Sequence, residues 1–278
     1  MARIWIITNS GSASTNAGAI ADLHRCFEEH DVETLRTIDL AEDDLPDLSD
    51  LTQEAPDFIA SFGGDGTAVA LADRYGTDGA SPILVLPGGT MNLLSARLHG
   101  EAGVEEIIAA ALSNPHAEQL PQVEGPGFFA LTGVVAGSTA RWGDVREELR
   151  QGDLGGMLRA AGDALDATLQ PGAMHVEGSE EAHSALFIHA TTTELRAEAI
   201  MAENLGDVAR HGIAWLKRDF LGGPTEPVAH GEELRLSGPE RHIDLLVDGE
   251  RDRADNPLTL RHGRSAAWFL RTAQTPQP

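Results

Sequence analysis

Apolar residues in the first third of the chain fall in short continuous runs. Each run closes on a loop and is followed by a stretch with helical spacing. Arg3 to Thr8 is the first strand-like run, Asn9-Ser10-Gly11-Ser12 is a loop, and Asn16 to His30 reads as a helix. Val32 to Ile38 alternates as a short strand. Asp39 to Asp57 is acidic, contains Pro46 and Pro56, and reads as a solvated loop with room for one helical turn. Asp57 to Phe62 is a buried strand ending at Gly63-Gly64, and Thr67 to Tyr75 is the next helix. Ile83 to Leu86 is another buried strand, ending at Pro87-Gly88-Gly89, with helices over Met91 to Leu98 and Val104 to Leu112. Fully apolar strands alternating with helices predict an α/β domain, a Rossmann-like parallel sheet covered on both faces.

The pattern changes after Asn114-Pro115. Gly127 to Ser138 is apolar and punctuated by glycine, and Arg141 to Leu169 reads as helical with a break near Gly152 to Gly156. Beyond Ala173, short alternating segments follow: Ser184 to Ala190, Glu233 to Ser237, His242 to Val247 and Leu258 to Arg261. Turn signals such as Asp248-Gly249 separate them. This predicts a C-terminal antiparallel β-sandwich domain with a helical insertion. The expected division is 1–120 for the α/β domain and 121–262 for the β-domain, with about 263–278 returning to the first. The tail after Thr272 reads as frayed. His211 to Leu221 reads as a short helix, with Ile213, Leu216 and Phe220 on one face.

Composition narrows the function. A chain of 278 residues with 41% hydrophobic content is long and apolar enough for one large or two modest cores. Its apolar runs fall well short of the roughly 20 residues that a membrane span needs. The N-terminal residues do not form a secretory leader, so a cytoplasmic protein is expected. Cys26 is the sole cysteine, which excludes an internal disulfide and a cysteine-built zinc site. The formal charge of −24, with Lys217 the sole lysine, argues against nucleic-acid binding and against broad docking on an anionic membrane.

The strongest chemical signal is Ser61-Phe62-Gly63-Gly64-Asp65-Gly66-Thr67. A buried strand runs into three glycines and then a helix. Glycine lets a backbone approach a phosphate, and a helix N-terminus supplies N–H donors and a positive dipole end. Asp65 would repel a phosphate directly, so it suits a magnesium ion, a water or a hydroxyl beside one. Leu84-Val85-Leu86-Pro87-Gly88-Gly89-Thr90-Met91-Asn92 repeats the design. Loops at the carboxyl ends of parallel strands share one sheet edge, so two such turns build a joint cradle. Thr90 and Asn92 suit either a helix cap or a phosphate contact. On its residues alone, Asp248-Gly249 reads first as a hairpin turn and only second as a catalytic carboxylate.

These motifs resemble the diacylglycerol kinase catalytic-domain family of bacterial lipid kinases, which is related to sphingosine and ceramide kinases and to NAD kinases. The resemblance rests on Gly63-Gly64-Asp65-Gly66-Thr67, Pro87-Gly88-Gly89-Thr90-Met91-Asn92-Leu93 and Asp248-Gly249-Glu250, with a shortened Asn9-Ser10-Gly11-Ser12 loop that lacks the family's proline. It implies an α/β domain and a β-sandwich domain with the nucleotide in the cleft between them. It implies that Gly63, Gly64, Asp65, Gly66 and Thr67 hold ATP phosphate and Mg2+, with Asp65 at the metal. Gly88, Gly89, Thr90 and Asn92 then line the nucleotide site, and Asn9 and Ser10 approach from the first loop. Asp248 is the implied general base, with Asp65 competing for that role, and Glu250 supports nucleotide or metal. The implied partners are a lipid substrate, a membrane surface met briefly at the periphery, and a second copy of the chain if it forms a homodimer. The alternatives are a sphingoid, ceramide or soluble-alcohol kinase of the same fold, and a nucleotide-binding regulatory protein without transfer activity.

Overall fold

The structure is a computed structural model, and it describes residues 1–11, 15–76, 81–89, 92–137, 174–200 and 225–273. Ser12, Thr90, Met91, the expected helices over Arg141 to Leu169 and His211 to Leu221, and the last five residues of the tail lie outside these. The chain divides into two units, Met1–Leu120 with Arg264–Pro278, and Pro121–Gly263.

The first unit is built on β1 (Ala2–Thr8), β2 (Val32–Asp39), β3 (Phe58–Gly63), β4 (Ile83–Pro87) and the end of β15 (Leu258–Leu270). The order is β2-β1-β3-β4-β15, and every pairing in it is parallel. Five consecutive residues of β1, Ile4 to Thr8, are buried, as a strand covered on both faces requires. On one face, Ile4, Ile6, Ala60, Leu84 and Leu86 pack against Leu23 and Phe27 of α1 (Ala17–Glu29) and Ile107, Ile108 and Ala111 of α5 (Val104–Ser113). On the other, α3 (Asp65–Tyr75) packs on β3 and β4, and α4 (Leu93–His99) packs on β4.

Helix α1 starts where its cap requires. Asn16 accepts the Ala19 N–H at 3.0 Å, which satisfies one orphan donor of the first turn. Three helices of this unit differ from the sequence reading. The acidic stretch holds a two-turn helix, α2 (Leu48–Glu54), rather than one turn. Its acids have partners that the local sequence does not show. Arg36 of β2 binds Glu54 and Asp50, and the Trp5 indole donates to Glu54 at 2.8 Å. Helix α3 begins two residues earlier than expected, at Asp65, because Gly64 serves as its N-cap. Helix α4 begins later, at Leu93, because Asn92 takes a left-handed conformation with φ 49°.

The second unit is antiparallel. One sheet runs in the order β11 (Thr225–Gly231), β10 (Leu195–Ile200), β9 (Ala185–Ala190), β7 (Val134–Gly137), β13 (His242–Val247), β14 (Glu250–Asp255). A second layer joins β8 (His175–Val176), β12 (Glu233–Ser237) and the start of β15, with β5 (Ala117–Gly125) paired to β6 (Phe128–Ala130). One core takes Val134, Leu186, Ile188, Leu195 and Leu245 from the first layer and Val123, Val176, Leu234, Leu236, Leu258 and Leu260 from the second. This is a β-sandwich.

Strands β10, β11 and β14 escaped the sequence reading for identifiable reasons. β14 buries only Ala254, and β11 contains Pro227, so both edge strands lack an apolar alternation. β10 alternates with alanines, which signal strand weakly. β15 extends nine residues past the expected Arg261, because its alternation continues through Gly263 to Leu270.

Candidate active site

The two glycine turns meet at the carboxyl edge of the parallel sheet. Gly63 closes β3, and its carbonyl accepts the Gly88 N–H at 3.2 Å. Gly88 and Gly89 are buried. A Cβ on Gly88 would stand 2.8 Å from the Gly63 nitrogen, and one on Gly89 would collide with the Gly64 α-carbon. These glycines are therefore needed because the two turns touch backbone to backbone. Gly66 is different. It is exposed, and no atom lies within 4 Å of where its Cβ would stand. It sits in the first turn of α3, and the N-cap Gly64 offers no capping side chain. The open approach for an anion is thus at Gly66 and the α3 N-terminus. Thr67 lies beneath this turn, only 4% exposed, with its hydroxyl against Gly63.

Asp65 is buried. Its Oδ2 accepts the Leu93 N–H at 3.0 Å and its Oδ1 accepts the Leu94 N–H at 2.9 Å. The expected magnesium ligand is therefore engaged with the first turn of α4. Asn92, expected at the nucleotide, turns its Oδ1 back to accept the Gly89 N–H at 2.6 Å, and so closes the second turn on itself. Thr90 lies outside the described residues.

The first loop is held by Asp39 at the end of β2, which accepts the Ser10 N–H at 2.9 Å and the Ala41 N–H at 3.1 Å. Burial pushes the Asp39 carboxyl up, but the Ser10 hydroxyl and these two N–H groups outweigh it, and its pKa lies below the usual value. Asn9 accepts the Gly11 N–H in a tight turn. Thr15 was missed by the sequence reading. It is fully buried, and its hydroxyl donates to the Gly88 carbonyl at 2.8 Å. Nothing local marks it, since its partner lies 73 residues away.

Asp248 and Glu250 belong to the second unit. Asp248 and Gly249 form the two-residue turn between β13 and β14, both with positive φ, 49° and 84°. This is the type I′ signature of Asp-Gly. The Asp248 carboxylate is buried. Oδ2 accepts the Leu131 N–H, and Oδ1 accepts the Thr132 N–H and hydroxyl and the Gly133 N–H, at 2.6 to 3.1 Å. Burial raises the Asp248 pKa, while the Thr132 hydroxyl and the three N–H groups pull it down. These bonds tie the hairpin to the Leu131–Gly133 loop. Glu250, two residues on, is exposed.

Among the described residues, no group of three or more His, Cys, Asp or Glu could hold a metal ion, and no helix is long and apolar enough to cross a membrane.

An open parallel sheet with glycine turns at its carboxyl edge defines an α/β class of domain. Residues 3–120 match the diacylglycerol kinase catalytic domain. Three solved structures from Bacillus anthracis str. Sterne, described as diacylglycerol kinases (two of them only provisionally), share the fold of the chain. The first has 14% identity and a TM-score of 0.61 over 97% of each chain. The second and third have 12% identity and TM-scores of 0.58 and 0.59, over 97% of this chain and 96% of theirs. No curated protein matches the chain.

Proposed function

We propose that the protein is an ATP- and Mg2+-dependent lipid kinase that phosphorylates a lipid hydroxyl such as that of diacylglycerol. The observation that carries this is the exposed Gly66 at an uncapped helix N-terminus, beside a second glycine turn locked against the first. The N–H groups there suit a chain of phosphates. Magnesium, bound chiefly through the phosphates with waters completing its shell, would offset their charge. The described residues supply one buried carboxylate there, Asp65, and no dedicated acidic cage.

In the reaction, the lipid hydroxyl oxygen forms a bond to the γ-phosphorus. The bond from that phosphorus to the bridging oxygen breaks, and its electron pair leaves with ADP. The hydroxyl proton passes to a carboxylate. Catalysis rests on positioning and electrostatics. The acceptor is met at a membrane surface, which the protein visits from the cytoplasm.

The test is transfer of labelled γ-phosphate from Mg-ATP to diacylglycerol, sphingoid, ceramide and polar-alcohol acceptors in mixed micelles. Labelled diacylglycerol supports the proposal. Labelling of a sphingoid base, ceramide or a polar alcohol instead replaces the acceptor. ATP binding with no acceptor labelled sinks the kinase reading in favour of a regulatory nucleotide-binding protein.

A further inference from the structure

The geometry points to Asp65 as a positioning residue, one that seats the second glycine turn against the nucleotide-facing end of α3. This inference rests on the kinase reading and deepens it.

Helix α4 poses a local problem. The first N–H groups of a helix have no intrahelical partner, and the N-cap side chain usually takes one of them. Here the N-cap is Asn92 in a left-handed conformation, and it makes no side-chain cap bond. Its oxygen is spent on the Gly89 N–H. The orphan donors Leu93 N–H and Leu94 N–H go instead to the two carboxylate oxygens of Asp65, one each, across 28 and 29 residues of sequence. The cap of α4 is thus supplied by the first residue of α3.

Asp65 stands one residue before Gly66, the open position at the α3 N-terminus. A single buried carboxylate therefore joins the place where the phosphates approach to the helix that follows the second turn. The same turn is tied from two other directions, by the Thr15 hydroxyl on the Gly88 carbonyl and by Asn92 on the Gly89 N–H. Asp65 is the charged member of this set, and charge-assisted bonds to backbone N–H groups are the stronger kind. The geometry of a carboxylate, two acceptors side by side, matches two successive helix N–H groups. Asparagine cannot reproduce this, because its amide presents one acceptor and one donor.

The experiment pairs hydrogen exchange with steady-state kinetics, on the full chain. In the wild type without nucleotide, the Leu93 and Leu94 amides exchange slowly although they are first-turn donors. In Asp65→Asn they exchange at least tenfold faster, the ATP KM rises about tenfold, kcat changes less than KM, and the pH dependence of kcat keeps its shape. Fast exchange at both amides in the wild type overturns the inference without need of any variant. So does an Asp65→Asn enzyme with unchanged KM that loses kcat and one limb of the pH profile, which is the behaviour of a base. A shifted Mg2+ requirement with unchanged ATP KM at saturating Mg2+ also overturns it, in favour of a metal ligand. A wild type that neither binds nor turns over ATP fails the kinase reading itself, and with it the inference.

Discussion

Asp248 and Thr132 are joined twice: one carboxylate oxygen accepts both the backbone N–H and the hydroxyl of Thr132, each at 2.6 Å. The pair lies 116 residues apart in sequence and holds the β13–β14 turn to the loop between β6 and β7. A residue with its oxygens so occupied serves the fold before it serves a reaction.

Asp248→Asn should therefore act first on stability. The amide turns an NH2 donor toward an N–H group that needs an acceptor, and leaving a buried donor unsatisfied costs about 1–3 kcal/mol. The expected result in urea is a lower unfolding midpoint. An unchanged midpoint with lost phosphate transfer would return Asp248 to the role of base.

The glycines of the two turns should separate into two kinds. Gly89→Ala places a methyl group on the Gly64 backbone, which cannot swing aside, and the overpacking costs about 1–3 kcal/mol. Gly66→Ala meets nothing within 4 Å and gains helix propensity, so its melting temperature should stay level or rise slightly, by the equivalent of up to about 1 kcal/mol. Its ATP affinity should nonetheless drop, because the methyl group stands where the phosphates approach. Thermal melts with and without Mg-ATP distinguish the two. Full ATP affinity in Gly66→Ala would move the phosphate site elsewhere.

His99, the last residue of α4, is a pH-sensitive anchor for the returning chain. Its Nδ1 pairs with the Thr272 hydroxyl at 2.9 Å, and the Thr272 and Ala273 N–H groups both reach the Leu98 carbonyl. Burial first, and then the Arg271 charge, lower its pKa from 6.5 to about 4. The Val85 backbone pulls the other way, and Nε2 is buried without a hydrogen bond. The folded state thus favours the neutral ring. The unfolded chain takes up a proton below pH 6.5 and the folded one only near pH 4. Stability from this group is complete above pH 6.5 and falls as the pH drops toward 4, by about 3 kcal/mol in all. In His99→Gln that part of the acid sensitivity should vanish. Equal losses in both proteins between pH 7.5 and 4.5, measured by urea unfolding, would refute it.

Short-range information was enough for much of this protein. Buried strands announce themselves as continuous apolar runs, so β1, β3 and β4 and the parallel sheet were legible. Asp-Gly named the β13–β14 turn because few residue pairs accept positive φ at both positions. The two glycine turns were legible as a pair at one sheet edge, since βα connections place successive loops there. What tertiary structure alone decided are the partners of the polar groups. Gly88 and Gly89 are small because Gly63 and Gly64 lie against them, whereas Gly66 has open space. Asp65 answers to Leu93 and Leu94, Thr15 to Gly88, and Asp248 to the Leu131–Gly133 loop. Periodicity reports which face of an element is buried, because burial acts on every residue along it. A hydrogen bond between distant residues leaves no period in the sequence, and the chain has to fold before donor and acceptor can be matched.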